Sequence, residues 1–420
     1  MSVFFYNIFL LLFKAATHLA ALFDGKAKKW VNGRKNIFKK LQETIPRNEK
    51  IVWVHCASLG EFEQGRPVIE KLRTLGTGHR ILLTFFSPSG YEVQKNYTGA
   101  DWVFYLPADG ARNAKRFLEI VNPALVIFVK YEFWYYYLKK IKYREIPLLL
   151  VSALFRPDMS FFKWYGGLQR KMLSRFDHLF VQNEESKKLI ARIGLDGICS
   201  VSGDTRFDRV IRISEQFEPI PSIEKFIGES KVLVAGSTWK EDEEVLQKAF
   251  ASFSESSLKL IIAPHEITEA HLDDLKKLFP YAILYSQPAW RQAGSPLTVL
   301  IIDNIGMLSR LYKYGSIAYV GGGLKPMGVH NVLEAAVYGK PVIVGPFYEK
   351  YVEARELVGS GGALVINNEV ELANTITNLI NNSHGCYDKA SGASKDYVWK
   401  NKGATEKITR YIQEKRLLTS

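Results

Sequence analysis

Residues 316–346 read SIAYVGGGLKPMGVHNVLEAAVYGKPVIVGP. The run 316–320 is short and apolar, as expected of a strand covered on both faces. Gly321, Gly322 and Gly323 follow it, then the helical pattern His330-Asn331-Val332-Leu333-Glu334-Ala335-Ala336. Gly339-Lys340-Pro341 stops that helix and opens a second apolar run at 342–344. Strand, glycine loop, helix, strand is the unit of a parallel α/β sheet. Glycines let a backbone come close to a ligand, and a helix N-terminus offers N–H groups and a positive dipole end to a phosphate. Asn331 and Glu334 are three apart and share a helix face, where a carboxylate can accept hydrogen bonds from a ribose diol. The plainer reading of Glu334 is a carboxylate that complements the helix dipole.

Outward from this block the same rhythm fills the chain. Further apolar runs lie at 232–236, 258–263, 282–285, 299–302 and 363–366, and in the first half at 51–57, 80–86, 102–106, 124–129, 147–152, 178–182 and 198–202. Helical stretches such as 61–75 and 111–120 separate them. At 420 residues the chain suits two domains. Two doubly wound sheets facing across a cleft are expected, with ligands at the carboxyl ends of the strands. The divisions are residues 1–45, an N-terminal membrane-associating segment; 46–205, an acceptor-binding Rossmann-like domain; 206–230, a linker marked by Pro219 and Pro221; 231–400, a nucleotide-sugar-binding Rossmann-like domain; and 401–420, a C-terminal helix that packs back on the first domain.

The formal net charge is +13, which favours an anionic partner. The cysteines are three and scattered, Cys56, Cys199 and Cys386, against a disulfide framework and for a reducing cytosol. Residues 3–13 (VFFYNIFLLLF) are nearly all apolar, a second apolar run follows Lys14, and Lys26, Lys28, Lys29, Arg34, Lys35, Lys39 and Lys40 come next. A spanning helix needs roughly 20 apolar residues; Lys14, Thr17 and His18 interrupt this one. The pattern suits a helix in the interface of an anionic cytoplasmic leaflet, with a single span and a core helix as the alternatives.

Further candidates stand at predicted strand ends. Ala57-Ser58-Leu59-Gly60-Glu61 closes a strand and opens a helix, so Glu61 could serve as the base that an inverting glycosyl transfer requires, or only satisfy backbone donors. Glu132 follows the apolar run 124–129, and Arg206 in Gly203-Asp204-Thr205-Arg206-Phe207-Asp208 suits a sugar carboxylate. Ser87 and Ser89, with Ser58 and Gly60, are possible acceptor contacts; Ser237 and Lys240 hold the corresponding position in the second half. Pro264 and His265 end another strand. No metal-ligand spacing and no paired carboxylate at a strand end is seen, so no metal is expected.

Together these blocks resemble the Kdo (3-deoxy-D-manno-octulosonic acid) transferases of lipopolysaccharide synthesis, along essentially the whole chain: GRK at 33–35, ASLGE at 57–61, SPSG at 87–90, QNEES at 182–186, GDTRFD at 203–208, GSTWKEDEE at 236–244, DNIG at 303–306 and the block 321–346. The resemblance implies the GT-B glycosyltransferase fold, CMP-Kdo as donor and a phosphorylated lipid A precursor, lipid IVA, as acceptor. It implies inversion with release of CMP, no cofactor or metal, no nucleic-acid partner, and attachment to the anionic cytoplasmic face of the inner membrane. It also implies Glu61 as general base, Glu132 and Arg206 as transition-state stabilisers, and Pro264, His265, Ile305, Gly306, Met307, Gly322, Gly323, His330, Asn331 and Glu334 on the donor. The family often has Pro-Arg-His where this chain has Pro264-His265-Glu266, Met-Gly-Glu where it has Ile305-Gly306-Met307, and a glutamate at Lys130. Three other functions are weighed: a GT-B enzyme using a UDP-sugar on a lipid, told apart by which nucleotide protects against melting; a sugar-nucleotide epimerase, which needs no lipid; and a basic nucleic-acid-binding protein, against which stand the cleft carboxylates and the lack of a binding motif.

Overall fold

The structure is a computed structural model and describes residues 2–253, 258–287 and 298–418. The chain forms two compact units, one of Met1–Asp208 with Gly403–Ser420 and one of Arg209–Lys402. Each holds a seven-stranded sheet in which every pairing is parallel. In the first unit the strands are β1 (Ile51–Cys56), β2 (Arg80–Phe85), β3 (Trp102–Tyr105), β4 (Pro123–Val129), β5 (Leu148–Ala153), β6 (His178–Val181) and β7 (Cys199–Val201), in spatial order 3-2-1-4-5-6-7. In the second they are β8 (Lys231–Thr238), β9 (Leu258–Pro264), β10 (Ile283–Leu284), β11 (Val299–Ile301), β12 (Ile317–Val320), β13 (Val342–Val344) and β14 (Ala363–Val365), in order 10-11-9-8-12-13-14. All fourteen runs read from the sequence are strands. Successive residues of a strand point to opposite faces, so strands buried throughout, such as β1 and β5, need helices on both sides. The order reverses between β1 and β4 and again between β8 and β12, and those switch points are where a doubly wound sheet opens a crevice.

Two segments depart from a simple reading. The stretch 206–230 is largely helical, with helices Thr205–Glu215 and Pro221–Ile227; Pro221 sits at the first helical position, where its missing N–H costs nothing. The C-terminal helix Ala404–Glu414 buries Ile408 and Ile412 in the first unit's core. Asp208 accepts from the Gly403 and Thr405 N–H groups at its start, at 2.5 and 2.6 Å, satisfying donors a helix N-terminus otherwise leaves open.

The N-terminal region is three helices, Val3–Ala20, Gly25–Gly33 and Ile37–Thr44. Val3–Ala20 is long and apolar enough to cross a membrane by length and composition alone. One side of it is fastened to the first unit: the Tyr6 hydroxyl donates to Asp109 at 2.7 Å and the Tyr136 hydroxyl to Asn7 at 2.7 Å. The other side exposes Phe4, Phe5, Leu11, Leu12 and Leu19.

Candidate active site

At the β1–β4 switch point Ser58 caps the helix Leu59–Thr74 and Glu61 lies in its first turn. The Ser58 hydroxyl accepts from the Gly60 N–H at 3.3 Å and donates to the Glu61 carboxylate, which aims that carboxylate without neutralising it. Glu132 follows β4 and accepts from the Trp134 indole and from His55 Nε2, the latter at 3.1 Å. His55 is fully buried on β1. Its Nδ1 meets the Thr84 hydroxyl at 2.8 Å, and that hydroxyl accepts from the Trp53 indole at 2.7 Å. The same Nδ1 lies 3.1 Å from the Thr84 backbone carbonyl, so both ring nitrogens of His55 are fixed by polar partners. The buried Cys56 thiol is pushed up first by burial and then by both Glu61 and Glu132, so the two carboxylates flank one strand end.

The Asp204–Arg206 pair lies beside them. Arg206 donates from Nε and Nη2 to one Asp204 oxygen at 2.9 and 2.7 Å and from its backbone N–H to the other at 2.9 Å, and Gln64 donates to Asp204 at 3.1 Å. Burial alone would raise the Asp204 carboxyl; the Arg206 charge and hydrogen bonds, with Lys130, outweigh it and hold the group below the usual range. Tyr131 is pushed up to about 12, mainly by burial, and senses both Glu61 and Asp204. Ser87 caps the helix Pro88–Gln94, its Oγ 3.0 Å from that of Ser89. Lys130 after β4, Ser152 in β5 and Ser237 in β8 have φ of 66°, 53° and 54°, the left-handed region that non-glycine residues seldom occupy and that clusters at working sites.

In the second unit the candidate donor residues all follow carboxyl strand ends. His265 comes after β9, Trp239 after β8, and His330 in the loop beyond β12. The rings are nearly parallel: Trp239 to His265 4.6 Å, His265 to His330 4.4 Å between centroids. The Trp239 indole donates to His330 Nε2 at 2.9 Å, so that imidazole is neutral with its proton on Nδ1. Burial, then the neighbouring His265, push His330 down to about 4, and burial lowers His265.

The glycines do more packing than the sequence implied. A Cβ on Gly321 would stand 2.4 Å from the Ser237 carbonyl and one on Gly323 2.7 Å from the Gly345 nitrogen. Gly322 has φ +88° and gives its N–H to Asp242 at 2.9 Å. Asp242, raised by burial against its hydrogen bonds, also takes the Tyr319 hydroxyl at 2.7 Å and the Trp239 N–H at 2.9 Å, clamping the ends of β8 and β12 together. The helix begins only at Leu333, because Val329 and His330 are held by backbone bonds to Phe347 and Gly321. Asn331 therefore precedes the helix: its Oδ1 accepts from Leu333 N–H at 3.2 Å and its Nδ2 donates to Glu334 at 3.1 Å. Burial raises the Glu334 carboxyl, while Arg209 and Asn331 pull it down. Pro264 ends β9; beyond β11, Ile305 is 91% exposed, Gly306 has φ +95° and Met307 is buried. Lys240 is exposed at the head of the helix Lys240–Phe250. Among the described residues no three His, Cys, Asp or Glu side chains gather as a metal site.

Sequence reasoning assigned no role to His55, Asp204, Arg209, Trp239 or Asp242. His55 had a signal: a lone polar residue in the run IVWVHC needs a buried partner.

A sequence profile described as 3-Deoxy-D-manno-octulosonic-acid transferase (kdotransferase) matches residues 32–209. A 3-deoxy-D-manno-octulosonic acid transferase of Aquifex aeolicus (strain VF5) is 32% identical over 352 residues, 82% of this chain and 90% of the relative. The chain belongs to the Kdo transferase family. It is therefore a glycosyltransferase. The transferase of Haemophilus influenzae (strain ATCC 51907 / DSM 11121 / KW20 / Rd) is 24% identical over 367 residues, 85% of each chain. Among solved structures, a UDP-GlcNAc 2-epimerase from Neisseria meningitidis bound to UDP-GlcNAc superposes with a TM-score of 0.62 at 18% identity, covering 87% of this chain and 100% of the other. A glycosyltransferase from Rickettsia africae ESF-5 gives 0.59 at 15% identity, covering 87% and 98%. At such identities the likeness is one of fold, the GT-B arrangement of two Rossmann-like domains.

Proposed function

We propose that this Kdo transferase moves Kdo from CMP-Kdo to a hydroxyl of a phosphorylated lipid A precursor, lipid IVA, with inversion and release of CMP, in lipopolysaccharide core synthesis. The observation that carries the reading is the Glu61 carboxylate, aimed by Ser58 at the β1–β4 switch point with Glu132 flanking the same strand end. Glu61 takes the proton of the attacking acceptor hydroxyl. Glu132, held by His55 and Trp134, and Arg206, held by Asp204, stabilise charge as the bond to CMP breaks. In the second unit Glu334 receives the ribose hydroxyls, and His265 and His330, with the segments 264–265 and 305–307, hold the nucleotide. The leaving group carries a single phosphate, so the reaction runs without metal or cofactor. The apolar helix Val3–Ala20 and the basic residues after it attach the enzyme to the anionic cytoplasmic face of the inner membrane; its fastening through Tyr6 and Asn7 supports a helix lying against the enzyme.

The test is mass spectrometry of lipid IVA incubated with the full chain and CMP-Kdo, with and without EDTA. A mass gain of one or more Kdo units, unaffected by EDTA and lost in Glu61→Ala, is expected. Transfer from a UDP-sugar instead, or full activity of Glu61→Ala, would overturn the donor or the base.

A further inference from the structure

A cavity of about 860 Å³ lies within the first unit and has the N-terminal helix for one wall. Its lining is divided. Leu10, Phe13, Trp30, Phe86 and Trp134 give an apolar interior, in which Phe13, Trp30 and Phe86 contact one another with centroids 5.6 to 6.0 Å apart. Lys14, Arg34, Lys35, Lys39 and Arg116 supply cations. The acidic lining residue, Asp109, is already taken by the Tyr6 hydroxyl and by the Tyr136 and Tyr137 N–H groups.

Arg34 is the unusual member. It stacks on Trp30, 3.9 Å from the ring centroid, and gives hydrogen bonds to three carbonyls, those of Leu106, Trp30 and Phe86, at 2.9, 3.1 and 2.8 Å. Five donors belong to a guanidinium, and among the described residues no carboxylate takes the remaining two. Burial pushes this guanidinium down to about 9, yet it stays charged at neutral pH. Glu132 steadies the charge from a distance without a hydrogen bond to it, and a cation held out of water without a paired carboxylate is costly. A second donor in the same wall is unmatched: the buried Trp30 indole N–H finds no acceptor. Both call for an acceptor-rich anion. The cavity also adjoins the candidate site, since the Trp134 ring packs against Phe86 with centroids 4.7 Å apart while its indole donates to Glu132.

We propose that this cavity binds the acceptor through a phosphate and the acyl chain beside it, Arg34 and the lysines facing the phosphate and Leu10, Phe13 and Phe86 the chain. The helix Val3–Ala20 is then a wall of the substrate site as well as an attachment. This rests on the acceptor named above, but the cavity can be tested apart from the transfer reaction. The probe is dodecyl phosphate, its binding to the full chain followed by tryptophan fluorescence; inorganic phosphate and dodecyltrimethylammonium are the controls. Dodecyl phosphate should bind and each control bind at least about tenfold more weakly, the weight of a charge-assisted contact or of a buried chain. Ala111→Trp, which fills the cavity from an exposed lining position, should weaken the probe about tenfold. Arg34→Gln should do the same; should it not fold, Lys14→Glu with Lys35→Glu at the exposed rim takes its place. Lipid IVA should displace the probe at lower concentration than short-chain phosphatidylglycerol. Equal binding of the cationic control, or probe binding unchanged by Ala111→Trp, would overturn the cavity; equal displacement by phosphatidylglycerol would overturn the acceptor as its occupant. Absent Kdo transfer with the binding results intact would overturn only the function proposed above.

Discussion

At the ends of β1 and β4 the first unit gathers charge: Glu61 aimed by a hydroxyl, Glu132 held by an imidazole and an indole, Asp204 locked to Arg206. At the equivalent ends of β8 and β12 the second unit gathers neutral rings, Trp239, His265 and His330, and leaves its acidic groups to clamp loops or to wait beside Arg209. The frames are alike and the finish is not. The difference is what the proposed reaction needs: one set of residues to keep carboxylates ionised for proton transfer, the other to accept a phosphate without presenting unpaired negative charge. If that division is right, changes in the first unit should strike turnover and changes in the second should strike donor affinity.

The largest effect is expected from Glu61→Gln. It keeps the Ser58 hydrogen bond in shape and removes the proposed base, and general-base catalysis is worth about 10²–10⁴-fold. Single-turnover transfer should fall within that range while CMP affinity stays within about twofold. A matching loss of CMP affinity would erase the contrast between the sites.

His55 comes next. His55→Leu strips Glu132 of one of its two donors, a charge-assisted bond of about 1.5–3 kcal/mol, or about 10–100-fold in kcat with donor KM unchanged. His55→Gln, whose amide can reach the Nε2 position, should recover much of it. A loss common to both variants would mean His55 only fills β1. His55 also shows where the sequence was readable. The fourteen apolar runs made the two sheets plain, because strands buried on both faces must be apolar at every position. The candidate site was legible at strand ends, where Ser58, Glu61, Glu132, His265 and Glu334 stand beside recognisable turns. It was not legible where function depends on neighbours far apart in the chain: Asp204 locking Arg206 with Gln64, or Trp239 fixing the tautomer of His330, 91 residues on. The packing role of the glycine triplet was hidden for the same reason, since its close approaches are to Ser237 and Gly345.

Glu334→Ala should raise the donor KM about tenfold, the weight of one hydrogen bond to a charged group, with kcat little changed at saturation. An unchanged KM with a reduced melting temperature would leave Glu334 as the partner of Arg209 alone.

The smallest effect concerns pH. His330 is neutral in the folded second unit down to about pH 4, whereas in an unfolded chain a histidine titrates near pH 6.5. Between these values the unfolded chain binds more protons, so this residue's contribution to stability falls as the pH drops from about 6.5 towards 4 and is constant outside that window. Asp242, Glu243 and Glu334, all raised by burial, act with the opposite sign on acidification, so the stability of the wild type alone does not isolate His330. The difference between wild type and His330→Asn does, because those carboxyls are common to both. That difference, from denaturant melts at pH 7.5, 6 and 5, should move against the wild type as the pH falls. Asp204, held low by Arg206, contributes stability that is lost only below the ordinary carboxylate range. Hydrogen exchange at pH 5 should therefore leave the segment 204–206 protected; a wild-type–variant difference flat with pH would mean that the ring stack does not hold His330 neutral.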